Sequence, residues 1–217
     1  MSQRTVNLVE GEYYHIYNRG NSKQTIFKDR ADYERFQQLL FGMNSHNTIV
    51  LRAIGVQRRF LFERGEPLVG IGAYCLMPNH FHILLTPLGE GGVENFMRKV
   101  STGYSMYFNK KYNRTGGLFE GKFKSQYADT DEYLKYLFSY IHLNPLKLVQ
   151  SDWKDVGLTN IVGGKNYLDK YRFSSYFDYA VGYRLESSIL TVEKFPPYFP
   201  NRGSFLKDTT EWMNYKD

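Results

Sequence analysis

Cysteine occurs once in the 217 residues, as Cys75, and tryptophan only twice. A single thiol excludes an internal disulfide and any metal cluster built on several cysteines. No stretch approaches the roughly 20 consecutive apolar residues of a membrane-spanning helix, so no transmembrane segment is expected. Met1 is followed by polar residues rather than an apolar signal core, which predicts a cytoplasmic chain. Internal repeats and low-complexity tracts are missing too. Against a typical domain of about 150 residues, the length leaves one enlarged domain or one domain with an appendage.

Aromatic residues are abundant at 17%, mostly 19 Tyr and 16 Phe, and 28 Lys and Arg against 22 Asp and Glu leave a formal charge of +6. Positive charge attracts a polyanion, and aromatic rings offer stacking surfaces for unpaired bases. Both features lean toward nucleic acid, although a solvated basic surface is equally compatible with them.

Along the chain, Glu12 to Arg19 (EYYHIYNR) alternates as a strand, with Tyr13, His15 and Tyr17 on one face. Gly20-Asn21-Ser22 then turns the chain. Asp29 to Met43 carries Tyr33, Phe36, Leu39 and Leu40 at helical spacing. Strand composition marks Ile49 to Val56 and the long run Gly70 to Pro87, with Gly65-Glu66-Pro67 between them as a turn. Val93 to Lys111 reads as a helix, the basic aromatic stretch LFEGKFKSQYA holds the last strand, and Asp129 to Asn144 forms a further helix closed by Pro145. This order is the split βαβ pattern of an α+β, ferredoxin-like fold, with an antiparallel sheet, helices on one face and a C-terminal extension. Residues 1–182 are assigned to the main domain. Residues 183–217, with the proline-containing segment PPYFP, form a tail without a readable motif.

The sharpest local feature is the run from Pro78 to Leu85, PNHFHILL. Alternation in a strand points His80 and His82 the same way, about 7 Å apart at Cα, and sends Phe81 to the opposite layer. Two imidazoles so placed can hold one divalent ion, or can simply be polar residues on a half-exposed face. Tyr136, Tyr140 and Asn144 recur every four residues and share one helix face, while His142 points elsewhere. The Asn144 amide oxygen can ligate Mg²⁺ or Mn²⁺, yet an Asn before Pro is also a common helix stop.

Together MPNHFHILL, YIHLNP about 60 residues later, YNRG near the start and GGLFEGKFKS between them resemble the single-tyrosine HUH transposases of the IS200-like type, most closely the REP-associated tyrosine transposases. The likeness runs from about Glu12 to Gly182. It implies that His80 and His82 bind the metal, that Asn144 is the third ligand and that Tyr140 is the nucleophile. It further implies a Mg²⁺- or Mn²⁺-dependent endonuclease and strand transferase. Such an enzyme cleaves single-stranded, hairpin-bearing DNA through a covalent 5′-phosphotyrosine. These assignments suit the chemistry: a phenol of pKa about 10 needs help at neutral pH, and a divalent ion polarising the phosphate supplies it.

Between Asn95 and Ser125 lie seven basic residues, Arg98, Lys99, Lys110, Lys111, Arg114, Lys122 and Lys124, against the single acid Glu120. With Arg19, they are the candidate phosphate contacts. A monomer is favoured over a homodimer. The alternatives are a domesticated, non-catalytic hairpin-DNA-binding protein of the same fold, and an RNA-binding ferredoxin-like module. No RNP-type sequence supports the second.

Overall fold

In the computed structural model, which describes residues 8–214, the alternating EYYHIYNR segment forms β1, Tyr14–Arg19. The first helix, α1 at Arg30–Gly42, starts where expected because Asp29 caps it. The Asp29 carboxylate accepts from the Asp32 backbone N–H, and Asp32 accepts in return from the Asp29 N–H. The run from Gly70 to Pro87 is two strands. β2 (Val69–Met77) and β3 (His80–Pro87) pair antiparallel around Pro78 and Asn79, with Met77 opposite His80. Helix α2 spans Gly92–Lys111, β4 spans Lys124–Tyr127 and α3 spans Asp131–Leu143, the Thr130 hydroxyl accepting from the Tyr133 N–H to cap its start. The sheet order β2-β3-β1-β4, antiparallel throughout, is the ferredoxin-like arrangement.

One expected strand is not formed. Residues from Ile49 to Val56 make short 3₁₀ turns at Leu51–Ala53 and Val56–Arg58. Val50 is half exposed, so this segment gains little from burial. The outer edge of β2 is taken by the C-terminal region instead: Leu76 N–H donates to Phe173 O, Ser175 N–H to Tyr74 O and Thr191 N–H to Ile71 O.

The layers are decided on β2. Val69 and Ile71 face the core beneath α1 and α2, but the β2–β3 register shifts between Ile71 and Ala73. Beyond this bulge, Tyr74 and Leu76 face α1 and α2, while Ala73, Cys75 and Met77 face the other way. Gly72 lies at the bulge and lets the Phe195 ring pack on the strand, since a Cβ there would meet that ring at 2.9 Å. Thus α1 and α2 share one face as expected, whereas α3 packs on the opposite one, through Leu134, Leu137, Phe138 and Ile141 against Ala73, Cys75, Met77 and Leu84.

The region beyond Ser151 is more regular than its sequence suggests. It forms α4 (Trp153–Val156), α5 (Ile161–Lys170), α6 (Tyr176–Ala180) and α7 (Arg202–Asn214). These surround a cluster of Leu143, Leu146, Trp153, Leu168, Tyr176, Phe205 and Met213. Arg184 ties this region to the sheet. Its guanidinium makes a buried ion pair with Asp178 at 2.8 Å and donates to Ser174 O at 2.7 Å and to Tyr74 Oη at 3.1 Å. Arg184→Met strands the Asp178 carboxylate and is expected to cost about 3–5 kcal/mol in denaturant unfolding. Adding Asp178→Leu should recover much of that loss, and a neutral single variant would contradict the assignment.

Candidate active site between the histidine strand and the tyrosine helix

Because Phe81, Ile83 and Leu85 point toward α1 and α2, His80 and His82 point toward α3. The sheet register sets Tyr17 opposite His82 and Arg19 opposite His80, which places His15 diagonally beside His82. The His80 and His82 ring centroids are 5.0 Å apart. The Tyr140 ring stands edge-on to both His82 and His15, at 5.7 Å from each. The structure therefore brings the tyrosine of α3 onto His82 of β3 and His15 of β1, with His80 on the far side of His82. A cavity of about 400 Å³ opens there, lined by His15, Tyr17, His82, Gln126, Tyr133, Tyr136, Leu137 and Tyr140. A second, of about 280 Å³, is bounded by Tyr17, Asn18, Arg19, Asn79, His80, Glu120 and Lys124.

Each imidazole is oriented through Nδ1. Asn79 Nδ2 donates to Lys23 O at 3.3 Å, so its Oδ1 faces His80 Nδ1 at 2.6 Å and accepts that proton. His82 Nδ1 lies 2.8 Å from His15 Nε2, one of the two nitrogens carrying the shared proton. Among the described residues no hydrogen bond engages either Nε2, the usual arrangement when a second residue fixes a ligating histidine. Burial, then the charges of Lys147 and Arg19, lowers the His80 pKa to about 4. Burial and Lys154 lower His15 to about 4, and burial with the neighbouring histidines and lysines holds His82 well below the usual range. All three rings are neutral at pH 7, the form in which imidazole ligates a metal.

Two neutral imidazoles are too few to hold a divalent ion alone, and their chemistry suits one only jointly with a ligand that brings oxygen. Among the described residues, no group of three or more His, Cys, Asp or Glu could hold a metal by itself. Asn144 is 1% exposed, its Nδ2 donates to Tyr140 O at 3.1 Å, and it is not part of the cavity wall. His142 lies away from the site, with Nε2 2.7 Å from Ser175 Oγ.

The candidate phosphate contacts scatter. Arg19 and Lys124 border the cavity beside His80, with Arg19 in a bidentate pair with Glu120 at 2.9 and 3.1 Å. Lys122 is exposed on the same loop. Arg98, Lys99, Lys110 and Lys111 belong to α2, which covers the other face of the sheet. Arg98 donates to Asn95 Oδ1 at 2.8 Å, and Lys110 is exposed. Lys99 donates to Ser45 O at 2.6 Å, and Lys111 is held by Asp29 and Asp32 at 2.7 Å. Arg114 donates to Asn109 Oδ1 at 3.3 Å.

Sequence reasoning passed over His15 and Asn79 as the partners of the two imidazoles. Asn79 precedes His80 directly, so its reach to Nδ1 was visible in principle. The His15 contact follows only from the β1–β3 register.

Neutral buried histidines also set the acid response. The folded-state pKa values of His15 and His80, about 4, and of His142, lowered by burial to about 3, lie beneath the unfolded value of 6.5. The unfolded chain therefore takes up protons first. Stability should be full above pH 6.5 and fall toward pH 4, every tenfold difference in proton affinity between the two states being worth about 1.4 kcal/mol. Denaturant titrations at pH 7 and 4.5 should differ by several kcal/mol, and His142→Gln should flatten the slope. Equal stability at both pH values would contradict this.

Residues 67–144 match the family model described as Transposase IS200 like. The matched stretch contains His80, His82, Tyr140 and Asn144. No curated protein matches the chain. Among solved structures, a REP-associated tyrosine transposase bound to a REP hairpin is similar, with a TM-score of 0.54 and 13% identity, covering 86% of this chain and 90% of the other. Residues 67–144 are thus similar to the IS200-like transposases, within a chain that shares its fold with a REP-associated tyrosine transposase.

Proposed function

We propose that the chain is a metal-dependent single-strand DNA endonuclease and strand transferase, acting in the cytoplasm on DNA that carries a hairpin. The observation that carries this is the edge-on approach of the Tyr140 ring to His82, with the His80 ring adjacent and both Nδ1 atoms engaged by neighbouring side chains. A DNA partner is also consistent with the hairpin held by the similar structure.

The reaction follows from the residues. Tyr140 Oη attacks the scissile phosphorus, the P–O3′ bond breaks, and the strand is held as a 5′-phosphotyrosine until a 3′-hydroxyl reverses the step. The phenol proton passes to solvent, and the leaving 3′-oxygen takes one up. His80 and His82, with Asn144 as the family resemblance implies, would hold Mg²⁺ or Mn²⁺, whose chemistry when bound is polarisation of the phosphate. Asn79 and His15 keep the two imidazoles aimed. Tyr133 and Tyr136 line the approach to Tyr140 and offer ring faces to an unpaired base. Arg19 and Lys124 bring positive charge to the wall beside His80.

The test uses a hairpin oligonucleotide with a randomised single-stranded flank, capturing denaturation-resistant protein–DNA adducts. Adduct should form with Mn²⁺ or Mg²⁺, vanish with chelator and with Tyr140→Phe, and fall at least about a hundredfold in His82→Ala. Adduct surviving in Tyr140→Phe would remove that residue as nucleophile. Hairpin binding without any adduct would favour a domesticated, non-catalytic DNA-binding protein.

Binding has its own signature. Lys124→Ala should weaken hairpin affinity and reduce the salt dependence of log K by about one unit, while Lys111→Ala should leave that slope unchanged. Equal slopes for wild type and Lys124→Ala would remove Lys124 from the interface.

A further inference from the structure

Lys154 lies beyond the stretch that matches the family, on α4. The helix has four residues, but its position is fixed, because Trp153 is 4% exposed within the cluster that includes Leu143, Leu146 and Phe205. This anchoring aims the next side chain at the site. Lys154 Nζ lies 3.6 Å from the centroid of the Tyr140 ring, a close cation–π contact. Its charge also reaches His15 and His82. The Tyr140 ring thus has the histidines at its edge and an ammonium over its face.

The geometry points to Lys154 as a further catalytic residue: its ammonium contacts an ionised non-bridging oxygen of the scissile phosphate and offsets that oxygen's charge as Tyr140 attacks. This rests on the nuclease activity proposed for Tyr140. The attacked phosphorus must approach the phenol oxygen to about 3–3.5 Å, which brings the phosphate oxygens within reach of an amine already on that ring. A flexible four-carbon stem lets Nζ leave the ring face for an oxygen without moving α4. Lys154 keeps its proton throughout, so its part is electrostatic and the bond changes are those of the tyrosine step. Lys147, whose charge reaches His80 and His82, adds to the same field from the segment between α3 and α4.

The test measures single-turnover adduct formation on the hairpin cleaved by the wild type, with the cleaved linkage made as a phosphodiester or as an uncharged methylphosphonate. With the phosphodiester, Lys154→Met should react about a hundredfold more slowly, and Lys154→Arg should recover part of the rate. Hairpin affinity should stay within about threefold, since one phosphate contact among several is lost. With the methylphosphonate, wild type and Lys154→Met should react alike, because the ionised non-bridging oxygen that the ammonium contacts is replaced by a methyl group. An equal penalty on both linkages would show that Lys154 only positions the ring, and full activity of Lys154→Met on the phosphodiester would remove it from the site altogether. Either result would overturn the inference while leaving Tyr140 as nucleophile. If the wild type itself forms no Tyr140-dependent adduct, the nuclease activity and the role of Lys154 fall together. Thermal unfolding and far-ultraviolet circular dichroism confirm that the variants are folded.

Discussion

The site depends on α3 packing against the second face of the sheet, and that packing depends on a change of side within β2. Before the bulge, alternate residues feed the core under α1 and α2. After it, Ala73, Cys75 and Met77 supply an apolar floor on the opposite side, complementary to Leu134, Leu137, Phe138 and Ile141. Small residues at Ala73 and Cys75 let the helix lie close. With the helix seated, the stripe of Tyr133, Tyr136 and Tyr140 flanks the apolar one and falls over the histidines. A shift of α3 by one residue would rotate Tyr140 by about 100°, away from β3.

Much of this was legible in the sequence, and the reasons differ by element. Strand alternation put His80 and His82 on one side and Phe81 on the other, and helical spacing aligned Tyr136 with Tyr140, because both periods are local properties of the backbone. The order of strands and helices pointed to the sheet topology, since few connections of short chains are allowed. The side on which α3 lands was not legible: both faces of the sheet are apolar, and the switch at Gly72 is a matter of register. The partnership of His15 with His82 likewise needs the β1–β3 pairing. Ile49 to Val56 looked like a strand from its β-branched residues, but sheet membership requires a free edge, and Phe173, Ser175 and Thr191 hold the edge of β2. Charge counts were the least informative guide. Lys99 and Lys111 contribute to the local excess, yet their ammonium groups are engaged by loop carbonyls and by the carboxylates of Asp29 and Asp32.

The electrostatics of the pocket have an unusual balance. Three neutral imidazoles stand among Arg19, Lys147 and Lys154, and among the described residues of the cavity wall the acid is Glu120, which is paired with Arg19. Such a surrounding is poorly suited to a bare cation and well suited to an anion.

The outer border of β2 has a further consequence. Backbone groups of Ile71, Tyr74 and Leu76 are bonded to the chain's own C-terminal region, and at the far side of the sheet β4 is only four residues long and carries Lys124. Short, charged or covered margins resist templated strand addition. Two copies of this molecule would not readily merge their sheets into one continuous ribbon, and any assembly between them would have to be built from helices or loops.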